Sequence, residues 1–463
     1  MSNFGPALAK GDVNGDGLDD LFVGNGSMFS AKLYLQKDNE SFEYAYTSIE
    51  EDSIYEDMDA IFFDADGDGD DDLYVVSGGN VFPNGAWEYE DRLYVNINGH
   101  FKRSMTAIPS IHASGGRIIP HDYDKDGDMD LLVTGRLKPH AYPDPGESFL
   151  LENVTASNDQ IKFNNVTQEV MPKIARLGMI TGGIFADING NGLDELILVG
   201  EWTGILTFTL NEGRYEPFES ALSNYKGWWF SLAQADLDHD GDIDLVAGNL
   251  GLNYKYQASS KATFDLYVDD FDLNSSKDLV LGYFNNGDQF PVRGRQCSSE
   301  QIPAIELKFK DYNSFASASL ESIYGKKELD DARHLQVNSF SSKVFINDGQ
   351  GNFEASDLPI EAQYAPINDL IISDINKDKI PDIILAGNLF ASEVETPRAD
   401  AGIGLLLKGK GDGTFETVSM NNSGLILRED IKSLILLLGN KSSELLFAAS
   451  NQGPLKAFSL NLN

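Results

Sequence analysis

Oxygen-bearing side chains recur in one nine-residue pattern along this chain of 463 residues. The pattern is Asp-x-(Asp/Asn)-x-(Asp/Asn)-x-x-x-(Asp/Glu), so carboxylates or amides stand at alternate positions and an acid closes the run. Hard oxygen ligands in this arrangement are what Ca²⁺ requires, and a glycine at position six lets the loop turn tightly around the ion. The pattern therefore predicts calcium-binding loops.

The sequence contains seven copies of this pattern. The predicted ligands are the side chains of positions one, three, five and nine and the backbone carbonyl of position seven. In chain order they are Asp12, Asn14, Asp16, Leu18 and Asp20; Asp64, Asp66, Asp68, Asp70 and Asp72; Asp122, Asp124, Asp126, Asp128 and Asp130; Asp187, Asn189, Asn191, Leu193 and Glu195; Asp236, Asp238, Asp240, Asp242 and Asp244; Asp270, Asp272, Asn274, Ser276 and Asp278; and Asp374, Asn376, Asp378, Ile380 and Asp382. The second, third and fifth copies carry four Asp side chains and are predicted to be the strongest sites, the first five copies together giving about five strong sites. Ser275 and Lys379 replace the glycine in the last two copies, which are predicted to be weaker.

The EF-hand is the competing interpretation, because it shares the first six positions of the loop. An EF-hand needs a bidentate Glu at position twelve on the helix that leaves the loop. Position twelve is Val23, Val75 or Val133 in the first three copies, and apolar triplets such as Leu21-Phe22-Val23 follow the ninth position. The repeating unit is therefore strand, calcium loop, strand.

The spacing of the copies indicates the fold. First positions 12, 64, 122, 187 and 236 are 52, 58, 65 and 49 residues apart, which favours the blades of a β-propeller over a helical solenoid. Outer hairpins are predicted around runs such as Leu93-Tyr94-Val95-Asn96 before Phe101. The Asp270 copy follows Asp236 too closely for a whole blade and is placed in the outer hairpin of the fifth blade.

The predicted fold is all-β, a seven-bladed propeller formed by residues 1–463 as a single domain. Residues 291–343 are predicted to form a partly helical insertion with nearly balanced charge. The last blade is predicted from Leu434 to Phe447, around a turn at Gly439-Asn440-Lys441 that has lost its ligands. Eight blades result if the Asp270 copy begins a blade of its own.

These residues resemble a known family. Phe4-Gly5-Pro6-Ala7 and the repeated DxDxDGxxDL runs are similar to the FG-GAP or VCBS repeats of integrin-alpha-type propellers. Gly248-Asn249-Leu250, and Gly387-Asn388-Leu389 with Glu393-Val394 after it, resemble bacterial surface proteins of the cartilage-acidic-protein-like group. The resemblance implies a propeller and leaves the task open, since the scaffold serves many functions.

The amino-acid composition limits the classes of binding partner and the cellular locations that are expected for this protein. The net charge of −38 argues against nucleic acid and anionic membranes, since either partner would need a basic patch. A lone Cys297 forbids an internal disulfide, and no apolar run reaches the length of a membrane span. Loops of this kind fill where calcium is near millimolar, so the protein is expected to be extracellular or on the cell surface, with its leader absent from this chain.

The function predicted from the sequence is a calcium-stabilised binding or adhesion module for a protein or glycan. The connections between the second and third strands of the blades are rich in aromatic residues, including Trp87, Trp202 and Tyr256, and are expected to form an exposed binding face opposite the calcium loops. Trp228-Trp229 is expected to be core. No zinc or serine-hydrolase motif is present, so no enzyme is predicted. The alternatives are a carbohydrate-active enzyme that uses two uncommitted carboxylates and a structural subunit of a surface assembly.

Overall fold

A computed structural model describes residues 5–38, 40–156, 160–392, 396–439 and 444–460. Phe4, Glu393, Val394, Asn440 and Lys441 of the motifs above lie outside these ranges. The described chain is built mainly of short antiparallel strands grouped in sheets. In all seven copies of the acidic pattern, a strand leads into the loop and the next strand begins at its ninth residue, as the apolar runs on each side predict.

The first three sheets each have four strands in sequence order. They comprise β1 (Leu8–Gly11), β2 (Asp20–Val23), β3 (Lys32–Gln36) and β4 (Phe42–Ala45); β5 (Asp57–Phe63), β6 (Asp72–Ser77), β7 (Arg92–Ile97) and β8 (His100–Ser104); and β9 (Ile118–His121), β10 (Asp130–Val133), β11 (Phe149–Asn153) and β12 (Phe163–Asn165). Helix α1 (Thr167–Val170) follows the third sheet.

The remaining sheets include one that interrupts the fifth. The fourth is β13 (Met179–Ala186), β14 (Glu195–Thr203), β15 (Leu206–Asn211) and β16 (Arg214–Pro217), with β17 (Gly227–Trp228) paired to β14. The fifth begins with β18 (Ser231–Ala235) and β19 (Asp244–Gly248). The inserted sheet consists of β20 (Phe264–Asp269), β21 (Asp278–Asn285), β22 (Asp288–Pro291) and β23 (Arg333–Val337). Between β22 and β23 lie the helices α2 (Arg295–Gln301), α3 (Ala304–Lys308), α4 (Tyr312–Ala316), α5 (Leu320–Tyr324) and α6 (Lys326–Asp331). The fifth sheet is completed by β24 (Lys343–Asn347) and β25 (Phe353–Asp357). The sixth sheet consists of β26 (Asp369–Ser373), β27 (Asp382–Ala386), β28 (Leu405–Gly409) and β29 (Phe415–Val418). Helix α7 (Met420–Ser423) precedes the last sheet of the ring, which consists of β30 (Ile431–Leu438), β31 (Glu444–Ser450) and β32 (Lys456–Leu460).

The first strands of these sheets contact each other in a closed ring. Around the ring the order is β1, β5, β9, β13, β18, β26 and β30, and β30 returns to β1. The ends of the described chain meet where the Gln36 side-chain amide donates to the Leu438 carbonyl (3.0 Å) and Phe42 packs edge-on against Phe447. The fold is a β-propeller with β1, β5 and their counterparts as the inner strands of its blades.

The core lies between neighbouring blades. Phe22 of β2 packs edge-on against Phe62 of β5, with ring centroids 6.4 Å apart, and both side chains are buried. Residues of two adjacent blades are combined in the same way in each buried cluster around the ring, as in the cluster of Val246, Ile383 and Leu385. Since a propeller sheet is covered by another sheet on each face, its middle strands are apolar on both sides.

The structure corrects the predicted position of the Asp270 loop. This loop joins β20 to β21 in a separate sheet of order β22-β21-β20-β23, outside the blades. The chain leaves the fifth blade after Gly248 and returns at Lys343, so the inserted segment begins well before residue 291. The 34-residue interval after Asp236 is too short for a blade, and the pattern cannot reveal that its strands pair with each other and with β23 instead.

Candidate metal centres and binding pocket

The seven acidic loops share a common backbone scaffold. The carboxylate at position one accepts hydrogen bonds from the backbone N–H groups of the tight turn; Asp12, for example, accepts from Asp16 N (3.0 Å) and Gly17 N (2.8 Å). The position-five side chain accepts from the N–H of position seven, as in Asp68 from Asp70 N (2.9 Å). The same two contacts are present in the Asp270 and Asp374 loops. Acidic side chains are therefore drawn together inside the loop.

The ninth-position acid anchors each loop to its blade. One Asp130 oxygen accepts from Tyr123 N (3.2 Å) in the loop, and the other accepts from Asn153 N (2.8 Å) on the third strand. Asp20, Asp72 and Asp244 are buried and make equivalent pairs of contacts. Burial raises the pKa of Asp20, Asp72 and Asp130 to about 7 and that of Asp244 to about 6, although backbone donors act in the opposite direction. A cation among these groups would favour their ionised form.

Carboxylate oxygens converge closely enough for one ion in four of the loops. In each case three carboxylates offer oxygens that all lie within 4.8 Å of one another. The sets are Asp64, Asp66 and Asp68; Asp122, Asp124 and Asp130; Asp236, Asp238 and Asp244; and Asp270, Asp272 and Asp278. The Asp270 loop, predicted to be weak, thus has the same convergence as the loops predicted to be strong.

Unpaired oxygens provide an independent sign that these loops fit a cation. Asp236 Oδ1, Asp272 Oδ1 and Asp374 Oδ1 are buried and have no hydrogen-bond donor among the described residues. A buried carboxylate oxygen without a donor is costly unless another charge compensates it. The donor set is all oxygen, which suits calcium rather than a softer metal.

Two loops differ from this arrangement in ways that lower their negative charge. In the Asp374 loop the Lys408 ammonium lies 3.1 Å from Asp378, so a second cation besides Lys379 opposes metal binding there. The Ile380 N–H and Lys408 lower the pKa of Asp378. In the Asp187 loop the Asn189 amide donates to Glu195 (2.7 Å), which turns one predicted ligand toward another. The contact of Lys408 agrees with the prediction that the Asp374 loop is a weaker site.

Neighbouring acidic loops are linked by an Asn at the end of the third strand, a role that the sequence analysis missed. The side-chain amide of Asn96 donates to Val13 O (2.9 Å), that of Asn153 to Ala65 O (3.0 Å) and that of Asn347 to Ile188 O (2.9 Å). Each acceptor is position two of the calcium loop in the preceding blade. The signal available in the sequence is the recurrent Asn three residues into the outer hairpin runs such as Leu93-Tyr94-Val95-Asn96.

The opposite end of the propeller is formed by the connections between the second and third strands. We call this end the loop face. Phe29 and Trp87 are 71% and 52% exposed there, as expected for a binding face. Trp202, at 6% exposure, is buried against Trp228 and Phe264, so the expectation that it is exposed is wrong. The inserted sheet, which begins at Phe264, covers it. Trp228 and Trp229 are core, as predicted.

A pocket of about 320 Å³ opens on the loop face. Its lining residues include Tyr142, Trp228, Tyr254 and Tyr256 together with Arg136 and Arg293. Arg136 follows the second strand of the third blade and Arg293 follows β22 of the inserted sheet, so the pocket lies between the ring and the insertion. The sequence predicted Tyr256 as an exposed loop aromatic, which is wrong, since it is buried with 7% exposure in the pocket lining. The two arginines were not identified from the sequence.

Comparisons with known proteins found one matching family model and several similar solved structures. Residues 12–75, 64–133 and 187–247 match the model of the FG-GAP-like repeat. No curated protein matches the sequence. Among solved structures, the chain is similar to the V. cholerae biofilm matrix protein Bap1 (12% identity, 97% of this chain and 85% of that one, TM-score 0.39) and to the Dos1 propeller (9%, 100% and 93%, 0.42). It is also similar to BBS1N in complex with ARL6DN (9%, 100% and 94%, 0.42).

The closed ring of antiparallel sheets, most of them four-stranded, defines the class of this protein as a β-propeller. Residues 12–133 and 187–247, which contain the first five acidic loops, are similar to FG-GAP-like repeats. The similarity to bacterial cartilage-acidic-protein-like surface proteins stays a prediction. Among the described residues, no helix is both long and apolar enough to cross a membrane.

Proposed function

We propose that this protein is a calcium-stabilised binding module that holds a protein or glycan partner on its loop face. The observation that carries the proposal is the division of chemistry between the two ends of the ring. Six acidic loops lie at one end, whereas exposed aromatic residues and the arginine-containing pocket lie at the other. Binding energy at protein surfaces concentrates in aromatic and arginine side chains.

Calcium would be held by positions one, three, five and nine of each loop, with the position-seven carbonyl as a further ligand. Its role there is structural, since the ninth acid ties the loop to the third strand and the bridging Asn ties it to the next blade. Sites of this type bind at extracellular calcium levels, which supports an extracellular or surface location. A surface complex is a suitable setting for such a module.

A carbohydrate-active enzyme is the second candidate. That function needs two carboxylates at a separation suited to acid and nucleophile or base. Among the residues that the structure describes, the pocket on the loop face is lined by two arginines and no Asp or Glu, so this lining offers binding groups without such a pair. The binding function is therefore favoured.

The experiment that tests the proposal is a comparison of partner binding by loop-face variants. Arrays of immobilised glycans and of purified extracellular proteins are probed with the protein in 2 mM Ca²⁺, which is of the order of extracellular calcium. We expect Phe29→Ala combined with Trp87→Ala to lower binding at least about tenfold, because exposed aromatic anchors dominate interfaces without supporting the core.

Ile97→Ala is the matched control, since this side chain is 53% exposed at the turn on the calcium-loop end. It should leave binding unchanged, and all variants should keep the wild-type Tm. An array on which the wild type binds nothing, or equal binding by the loop-face and control variants, would contradict the proposed function.

A further inference from the structure

Four apolar side chains are exposed on the loop face where the first two blades meet. We call Met28, Phe29, Val81 and Trp87 the apolar patch, and their exposed fractions are 73%, 71%, 61% and 52%. The first two lie in the connection between β2 and β3, and the other two lie in the connection between β6 and β7. Single exposed apolar residues are common, whereas a cluster of them marks an interaction site.

A groove of about 590 Å³ joins the two connections. Its lining includes Phe29 and Val81 of the apolar patch, together with Lys32, Glu56 and Leu455 of the last blade. Since Phe29 and Val81 line one groove, the two halves of the patch face the same space. The volume lies within the range of about 300 to 1,000 Å³ that is usual for binding pockets.

Hydrogen bonds hold the first of these connections in one conformation. The side-chain amide of the buried Asn25 donates to Phe29 O (2.6 Å) and, across the boundary between the blades, to Tyr55 O (3.1 Å). The backbone N–H of Met28 donates to Ser53 O (2.7 Å), also in the next blade's approach. The connection is therefore ordered before a partner binds, which lowers the entropic cost of association.

The backbone at Met28 is strained. Its φ is +73°, in the left-handed region that residues with bulky side chains rarely adopt. Such a conformation costs stability, and it tends to persist where the function of the protein requires it. Because the Met28 side chain points into solvent, packing in the core does not account for this strain. The strain therefore indicates a role for Met28 on the surface.

Trp87 is held in place by an aromatic support. Its ring packs edge-on against the buried Tyr55, with ring centroids 5.7 Å apart. The guanidinium groups of Arg92 and Arg103 lie 4.3 and 5.1 Å from the centroid of the Tyr55 ring, and Arg103 also donates to the Tyr55 hydroxyl (2.9 Å). Trp87 is therefore fixed by the protein while half of it stays in solvent, as expected for an anchor residue of an interface.

The charge around the patch favours a positively charged partner. Glu56 lines the groove, and burial together with the charge of Asp57 raises the pKa of Glu56 to about 7. A cation beside Glu56 would favour its ionised form. Lys32, which lines the same groove, pairs with Glu50 (2.5 Å). The net charge of −38 also repels a second copy of this chain or another acidic partner.

We propose that the apolar patch binds a segment of a partner protein in which apolar side chains flank a lysine or arginine, with that basic side chain beside Glu56. This inference rests on the proposed function and specifies its partner. Met28 and Val81 offer thioether and aliphatic surface that suits apolar side chains, and Trp87 supplies the aromatic anchor. A glycan is densely hydroxylated and would leave hydroxyl groups unpaired against Met28 and Val81, so the protein segment is favoured.

The test is titration calorimetry of the full chain in about 2 mM Ca²⁺ with a set of matched synthetic peptides. Each peptide has one central residue between two apolar residues, with flanks of glycine and serine. The apolar positions sample Phe, Leu, Val and Met, and the central residue is Lys, Arg, Gln or Glu. We expect at least one Lys or Arg peptide to bind with a Kd below about 1 mM. Its Gln form should bind at least about fivefold more weakly, since a charge-assisted contact is lost.

Matched variants separate the patch from the general attraction of an acidic protein for basic peptides. Glu56→Gln should abolish the preference for Lys over Gln in the peptide, as a double-mutant cycle requires of a direct contact. Glu43→Gln removes the same charge at an exposed site on β4 and should keep that preference. Met28→Ala should weaken peptide binding at least about fivefold. Met105→Ala, at a side chain that is 76% exposed after β8, should leave binding unchanged.

The results that would overturn the inference differ from those that would overturn the proposed function. Absence of binding by every peptide, a Lys preference that survives Glu56→Gln, or equal binding by Met28→Ala and Met105→Ala would reject the basic protein segment. Self-association of the wild type that Met28→Ala abolishes would assign the patch to a second copy and would reject it too. If the loop-face variants still lose glycan binding on the array in these cases, the binding function stands and only its partner class is wrong.

Discussion

Single asparagine side chains connect the acidic loops of neighbouring blades to each other. Asn153 lies at the end of the third strand of its blade, where its N–H donates to Asp130 of its own loop. Its side-chain amide donates to Ala65 O of the preceding loop, and its Oδ1 accepts from Thr155. Asn25 and Asn388 play a similar role on the loop face: the Asn25 amide donates to Tyr55 O and the Asn388 amide to Glu429 O, each just before the next blade. Buried amides therefore join adjacent blades at both ends.

At this scale we predict that Asn153→Ala destabilises the protein by roughly 1 to 3 kcal/mol, because it leaves the Ala65 carbonyl without its buried donor. Urea unfolding in saturating Ca²⁺ measures the effect. Asn164→Ala is the control, since Asn164 is exposed on the neighbouring strand β12. Equal stability of the two variants would show that the bridge contributes nothing.

The loops differ as elements even though their scaffold is shared. Three predicted strong loops and the Asp270 loop bring three carboxylates together, whereas Lys408 contacts Asp378 in the Asp374 loop. The Asp270 loop also differs in location. Its Lys277 pairs with Asp144 of the third-blade connection (2.7 Å), and Arg333 of β23 contacts the same carboxylate (3.2 Å). These ion pairs place this loop on the loop face, beside the pocket.

We therefore predict different metal losses from substitutions in different loops. Asp66→Ala, Asp238→Ala and Asp272→Ala should each remove one bound ion per molecule, because each deletes one of the converging carboxylates. Asn376→Ala should remove less, since Lys408 and Lys379 already weaken that loop. Atomic emission on protein equilibrated in 2 mM Ca²⁺ and gel-filtered gives the counts. The ranking is contradicted if all four substitutions cause the same loss.

The molecule as a whole is a ring in which each blade depends on its neighbours. The first and last blades meet through Gln36 with Leu438, Phe42 with Phe447, and the N–H of Leu438, which donates to Asp19 (2.9 Å). Six of the acidic loops are distributed around one end of this ring, and the side-chain amides of Asn96, Asn153 and Asn347 tie three of these loops to the next blade, so ions bound there would stabilise interfaces between blades. Their removal would leave clustered carboxylates repelling one another.

Metal removal should accordingly lower the Tm of the entire propeller in one step. With a Kd near ~0.1 mM and about 2 mM Ca²⁺, each filled site contributes roughly 1.8 kcal/mol through preferential binding to the folded state. Differential scanning calorimetry in chelator and after calcium is restored measures this effect, with Mg²⁺ as the control ion. An unchanged melting curve in chelator would show that the loops are not structural calcium sites.

The sequence by itself determined the repeating unit. Alternating oxygen ligands, the glycine of the turn and the apolar triplet after the ninth residue are local features, so strand, loop, strand could be predicted from each copy separately. The β-propeller followed from the spacing of the copies, and the burial of Trp228-Trp229 from the apolar surroundings of that pair. These features could be predicted because they depend on residues that are close to each other in the sequence.

Only the tertiary structure determined the positions of Trp202, of the Asp270 loop and of the two arginines in the pocket. Trp202 has the sequence context of an exposed loop residue, yet the inserted sheet buries it against Phe264. The Asp270 loop has the local pattern of a blade loop, yet β20 and β21 pair with β22 and β23 outside the ring. Arg136 and Arg293 are 157 positions apart and meet in one pocket. Long-range strand pairing fixes all three, and no single nine-residue pattern contains that information.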